Sequence, residues 1–325
     1  MIDNCYAVVR QSSTCPAKVM LACLAFTALL LVSETADART LAVGPRHPLH
    51  LPSQAAAIAA DGDRIEIDPA IYVDCAVWRA SHLTIEATRP GVIITRKTCM
   101  AKGIFVIVGD DITVRGITFS HAAVPEHNGA GIRALGANLT VEHSRFLNNE
   151  NGILTAGPPH SAVRILDSEF RGNGKCEGAC AHGLYVGGPA DLLEVENCRF
   201  SNTHISHHVK SRALRTVLIG NTITDGPTGT SSYLVDIPNG GDLLMQDNTL
   251  QKGPKSSNPA TAISIGAEGA THPTRELIVR NNRFTSNLPT STIFVRNGSA
   301  TPAGLIGNRL TGNIVPLDGP GSIQP

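Results

Sequence analysis

One three-residue phrase keeps returning along this 325-residue chain from residue 144 onward. It reads Ser144-Arg145-Phe146, Ser168-Glu169-Phe170, Cys198-Arg199-Phe200, Asn221-Thr222-Ile223, Asn248-Thr249-Leu250, Asn282-Arg283-Phe284 and Asn308-Arg309-Leu310. The apolar residue that closes the phrase recurs every 23 to 34 residues. Repeats of this period mean a solenoid, in which each unit buries its apolar face only against its neighbours. The core of such a chain is thin, and its function must sit in a patch along the stack.

A short alternating strand precedes most of these phrases, as in Leu139-Thr-Val141, Val163-Arg-Ile165 and Leu193-Glu-Val195. A second strand follows a polar turn. Its second position is Ile132, Ile153, Leu184, Val209, Leu234, Ile263 and Ile293 in successive coils. Seven branched aliphatics in register predict one inward column, because strand side chains alternate between faces. Helical spacing fits none of these segments, and Gly and Asn punctuate each coil. The turn asparagines Asn148, Asn173, Asn197, Asn221, Asn248, Asn281 and Asn308 are read as structural. Asn tolerates left-handed backbone, and its amide can bond its counterpart one coil away.

Over about residues 40–312 the chain resembles the right-handed parallel β-helix proteins of the pectate-lyase-like superfamily. The segment Leu51–Ala60 followed by Gly62-Asp-Arg-Ile-Glu-Ile-Asp-Pro-Ala-Ile-Tyr72 is similar to that group's capping helix and first coil, with Ala70 where glycine is usual. The resemblance implies an all-β fold: a single-stranded right-handed parallel β-helix solenoid with an N-terminal capping helix, spanning 39–312. A cap is also required physically, since an open coil end exposes apolar residues and unpaired strand edges. Residues 313–325, rich in Gly and Pro, are expected to form a flexible tail.

The first 38 residues read as a secretory signal: Arg10 and Lys18, the apolar run Val19–Val32, then Ala36-x-Ala38. The run is too short to favour a permanent span, so the mature protein is expected to begin at Arg39, to be secreted or periplasmic, and to have no membrane span. Across the whole chain 27 basic residues balance 27 acidic ones. That neutrality offers no electrostatic case for nucleic acid or anionic membrane as a partner. Of the cysteines beyond the signal, Cys75 and Cys99 lie about one coil apart and Cys176 and Cys180 bracket a short loop. Two disulfides with Cys198 left over suit an oxidising compartment. A metal site of Cys176, Cys180 and His182 is the weaker alternative, for lack of a fourth ligand.

Chemistry concentrates on two coils, in His182-Gly-Leu-Tyr185 and His204-Ile-Ser-His207-His208-Val-Lys210-Ser-Arg212. Alignment places His182 over His207 and Tyr185 over Lys210, with His208, Lys210 and Arg212 facing outward. The same position in other coils carries Arg133, Leu154, Val235, Ser264 and Phe294, so the cluster is local. These residue types suit proton abstraction beside a carboxylate, as in β-elimination or C5-epimerisation of a uronate sugar. Lys210, its pKa lowered by like charge from Arg212, is the expected base, and Arg212 the partner of the sugar carboxylate. His182, His207 and Tyr185 are expected to assist catalysis, and His204, His208, Tyr233 and Asp236 to bind substrate. Asp236 has two registers. It is buried if Leu234 points inward, but emerges beside Lys210 if Tyr233, Val235 and Ile237 do. The second is favoured because a paired carboxylate costs less to place.

Val209-Lys210-Ser211 followed by Asn221-Thr-Ile223 is similar to the lysine-bearing coil of the alginate lyase and chondroitinase B family, which implies Lys210 as base. That family's arginine strand on the next coil, and its calcium-binding glutamates, have no counterpart here. The acid pairs of polygalacturonases, the mannuronan epimerase motif and the pectate-lyase calcium cluster are missing as well. No metal or cofactor is therefore expected. Two functions fit: an exported enzyme modifying a uronate polysaccharide, or a non-catalytic β-helix that binds glycan or serves as structure.

Overall fold

Three parallel sheets wind into one right-handed coil in the computed structural model, which describes residues 38–325. The first sheet has 12 strands, from Thr40–Val43 to Gly321–Gln324. The second has 10, from Ala76–Trp78 to Ile314–Asp318, and the third has 10, from Ala70–Tyr72 to Arg309–Thr311. Within each sheet a strand pairs with the equivalent strands one coil before and after it, so sequence repeats become columns in space. The signal-peptide expectation concerns residues outside the described ones. No helix among the described residues is long and apolar enough to cross a membrane.

The recurring phrase opens the third sheet, and its apolar residue points into the coil. Phe119, Phe146, Phe170 and Phe200 are fully buried and stack at centroid separations of 5.3, 4.7 and 4.5 Å. Ile223, Leu250, Phe284 and Leu310 continue the column. Offset-stacked rings one strand spacing apart combine area burial with a favourable quadrupole geometry. The first residue of the phrase forms a ladder. Asn221, Asn248, Asn282 and Asn308 each accept the preceding coil's amide through Oδ1, and each donates from Nδ2 to a backbone carbonyl. The structural reading of the asparagines therefore holds, with two roles: Asn148, Asn197 and Asn281 instead take left-handed backbone, and Asn282 is the ladder residue in its coil.

In the second sheet the inward column runs Ile132, Ile153, Leu184, Val209, Val235, Ile263 and Val295. Val235 and Val295 replace the expected Leu234 and Ile293. The reason is a corner: the residue just before the column also turns inward on each strand. That corner holds Ile104, Gly131, Gly152, Gly183, His208, Leu234, Ala262 and Phe294, all buried. At Gly152 a Cβ would lie 2.7 Å from the Phe170 ring and 2.4 Å from the Gly183 carbonyl, so only glycine fits there. Past Phe200 the ring column gives way to Ile223, and the corner position is a histidine.

The capping helix is Pro52–Ile58, packed against strand Ala76–Trp78. Proline opens it, and Gln54 Oε1 accepts the His50 and Leu51 amides at 2.6 and 3.0 Å. Cys75–Cys99 and Cys176–Cys180 are disulfides, and Cys198 is free and buried, its thiol pushed up to about 12 by burial. With their sulfurs bonded to each other, Cys176 and Cys180 do not form the alternative metal site. The expected flexible tail is instead ordered: Ile314–Asp318 pairs with Thr292–Asn297, and Gly321–Gln324 with Ala303–Ile306. Pro316 is compatible with this because its strand is the last of its sheet, where a missing amide costs no ladder bond.

Candidate functional site

On the outer face of the second sheet Leu154, Tyr185, Lys210, Asp236 and Ser264 occupy one register on successive strands. Asp236 lies beside Lys210 with Val235 and Ile237 inward, as the second register expected, but Leu234 is buried too and Tyr233 stays in the turn on the outer side. Asp236 is nonetheless only 2% exposed, roofed by the side chains around it. Burial raises its pKa to about 6, against the pull of Lys210. Its Oδ2 lies 3.4 Å from Lys210 Nζ and 3.5 Å from His207 Nε2, while Oδ1 is buried without a partner.

His182, His207 and Tyr233 form a column in the turn leading to these strands. The rings of His182 and His207 stack at 4.8 Å, those of His207 and Tyr233 at 5.0 Å. Asn151 Oδ1 accepts the His182 amide at 2.7 Å, His182 Nδ1 the His207 amide at 3.2 Å, and His207 Nδ1 the Tyr233 amide at 3.1 Å. An Nδ1 that accepts an amide proton carries none, so each neutral ring is protonated on Nε2. Burial pushes His207 down to about 3, helped by the charges of Lys210 and Lys252. Burial lowers His182 well below the ordinary range, helped by His207, Lys210 and Arg212. Both are hydrogen-bond donors at neutral pH, and neither is placed as a base. Tyr185 packs edge-on to His182 at 5.0 Å.

The cations are tied together by a residue that sequence reasoning missed. Glu268 Oε1 accepts from Lys210 Nζ at 2.7 Å, and its Oε2 from Arg212 Nη2 at 2.6 Å. Arg212 also donates from Nε to the Tyr185 hydroxyl at 2.9 Å and from Nη1 to Asn239. Burial opposes the charge on Arg212, but the bonds to Tyr185 and Glu268 outweigh it and hold its pKa above the ordinary value. The bond from Lys210, then that from Arg212, holds Glu268 below the usual carboxylate range. Lys210 therefore sits between two carboxylates, one of them shared with Arg212. Glu268 comes from the irregular loop after strand Thr261–Ile265, 58 residues beyond Lys210. A lone acid between Gly266 and Gly269 carries no periodic signal that points across the coil.

Two expected binding residues lie elsewhere. His208 does not face outward. It is fully buried at the corner, bonded through Nδ1 to Thr203 at 2.7 Å and through Nε2 to Asp225 at 3.0 Å. Asp225 in turn accepts from Ser231 at 2.5 Å and from the Gly253 amide at 2.9 Å. Lys252, also fully buried, donates to the Ser232 carbonyl, and burial lowers its pKa to about 8 against the pull of Asp225. His204 is exposed in the preceding turn, its amide bonded to the Asn173 carbonyl.

Residues 152–318 match the family described as "Right handed beta helix region", and the chain belongs to that family. Its fold is similar to the crystal structure of pectate lyase Pel9A, with a TM-score of 0.52 and 13% identity over 86% of this chain and 80% of that one. It is equally similar to the alginate lyase from Paenibacillus sp. str. FPU-7, with a TM-score of 0.52 and 15% identity over 83% of this chain and 95% of that one. A search of curated proteins by sequence finds no match. At these identities the likeness establishes the fold, and the chemistry rests on the site itself.

Proposed function

We propose that this face binds a uronate-containing polysaccharide, outside the cytoplasm, and cleaves or epimerises it beside the sugar carboxylate. The observation that carries the reading is the Glu268 carboxylate gripped between Lys210 and Arg212. The protein has built a two-cation carboxylate receptor and filled it with a half-exposed side chain from a glycine-flanked loop. Displacing that side chain would seat a sugar carboxylate against the same two donors, where enolate charge would develop. The Tyr185 hydroxyl accepts from Arg212 and keeps its own proton and second lone pair for the sugar, so it is the group we place at the proton transfer. The Nε2–H of His182 and His207 and the ring of Tyr233 line the binding surface. Lys210, flanked by carboxylates, becomes a holder of the carboxylate rather than the base.

A non-catalytic glycan-binding face uses the same receptor. The three bonds Arg212 already makes and the committed Nδ1 atoms of both histidines favour that second reading. The separating experiment incubates the protein with pectate and alginate, following binding and the ultraviolet absorbance of unsaturated uronate products. Lys210→Ala should lose binding and product together, while Lys210→Arg should retain part of both, because a second guanidinium still pairs with a carboxylate. Binding kept in full by Lys210→Ala with product lost would return Lys210 to the role of base. Binding by the unaltered chain with no turnover of any uronate glycan, by cleavage or epimerisation, leaves the non-catalytic reading.

A further inference from the structure

We propose that Arg133 is a second carboxylate-binding position on this face, engaging another sugar acid of a glycan that lies along the solenoid axis. The proposal rests on the reading of Lys210 and Arg212 as a carboxylate receptor. Arg133, Leu154, Tyr185 and Lys210 hold one outward register on consecutive strands. Three strand steps separate Arg133 from Lys210, about 14 Å along the axis. Leu154, between Arg133 and Tyr185, is 8% exposed although it faces outward.

The other cations in this outward register are paired: Lys210 with Asp236 and Glu268, Arg296 with Asp318. Arg133 has no such partner among the described residues. Its Nε is buried with no hydrogen bond, burial lowers its pKa, and the Tyr185 phenol is the one titratable group acting against that. A half-buried guanidinium without an acceptor is costly, and an anionic ligand removes the cost. The room exists. A hollow of about 230 Å³ is lined by Arg133, Lys102, Asn128, Glu126, Met100 and Ala101. Lys102 supplies a second cation and Asn128 a neutral hydrogen-bonding group. Met100, 52% exposed, offers apolar surface to a sugar ring. A linear glycan with one acid over Lys210 and Arg212 passes Tyr185 and Leu154 and brings a later acid to Arg133.

The consequence is a dependence on ligand length, read by titrating uronate oligosaccharides from dimer to hexamer into the full chain. The unaltered protein should bind the hexamer about tenfold or more tighter than the dimer, and Arg133→Gln should abolish that gain while leaving dimer affinity within about twofold. Lys102→Gln, on the rim of the same hollow, should show a smaller loss in the same direction, and it stands in if Arg133→Gln fails to fold. A methyl-esterified hexamer should gain nothing from its length. An undiminished hexamer affinity in both variants, equal loss for dimer and hexamer, or a length gain that survives esterification would overturn the subsite alone. Failure of the unaltered chain to bind any uronate oligomer, or dimer binding indifferent to Lys210→Ala, would overturn the receptor and this subsite with it.

Discussion

Two clusters of nearly the same composition lie on opposite faces of the wall that carries the strand Val209–Ser211. Inside are His208, Asp225 and Lys252; outside are His207, Asp236 and Lys210. The inner set is sealed. His208 and Asp225 have no exposed surface, both ring nitrogens are bonded, and Asp225 accepts from three partners. Burial alone would raise the Asp225 pKa, yet His208, Ser231 and the Gly253 amide outweigh it and the net shift is downward. The outer set is unfinished. Asp236 keeps a buried oxygen without a donor and has its pKa raised, and the cations are satisfied by a loop glutamate 46% exposed. Residue types and spacing do not separate structure from function here; saturation of hydrogen bonds does.

The inner cluster should be the costlier to break. Asp225→Ala leaves His208 buried without its acceptor and Lys252 buried without the nearby negative charge, and should destabilise the fold by about 3–5 kcal/mol. Asp236→Asn, removing a carboxylate already short of partners, should cost far less or add stability at neutral pH. Denaturant titration of both variants checks this, and equal losses would erase the distinction. On the outside the large effect should be on rate. Tyr185→Phe removes one hydroxyl and should lower turnover by about a hundredfold or more, with glycan affinity nearly unchanged. A parallel loss of affinity would make Tyr185 a binding group only.

Acid should also tell the regions apart. His182 and His207 bind protons less readily folded than unfolded, so the stability they support is complete above the ordinary histidine value of 6.5 and is lost as pH falls below it, for His207 down to about 3. Asp236 acts in the opposite sense: between about 4 and 6 the folded state holds its proton more firmly, so its burial costs less as pH falls. The histidines outnumber it, so stability should fall on balance from pH 7 to pH 5. Thermal melting across that range should show the decline, and Asp236→Asn should steepen it. A melting temperature that rises on acidification would contradict the neutral assignment of the two rings.

The columns were legible in the sequence because a parallel solenoid turns repeat alignment into spatial register: Tyr185 over Lys210 and His182 over His207 follow from pairing alone. What the alternation could not reveal was the corner. Tyr233-Leu-Val-Asp-Ile supports either face inward, and the structure buries both Leu234 and Val235 by turning the chain between them. His208 was misplaced for the same reason. Glu268 and Asn239 lie in irregular segments whose reach is set by the folded loop. Arg133 stood in the right column, but its lack of a partner is a fact of three dimensions. The last two strands escaped notice because Pro316 and Gly321 read as loop, although an edge strand tolerates both.

On the proposed reading, Glu268 occupies the place of a sugar carboxylate. The direct measurement is the affinity of a uronate oligosaccharide for the unaltered chain and for Glu268→Gln, under the same salt conditions. Because Glu268 is 46% exposed, the substitution should change stability by less than about 1 kcal/mol, so affinity can be read without unfolding. Binding should be tighter by about tenfold, since the competing carboxylate is gone from between Lys210 and Arg212. Weaker or unchanged binding would show that Glu268 belongs to the wall of the site and that the two cations are not a carboxylate receptor.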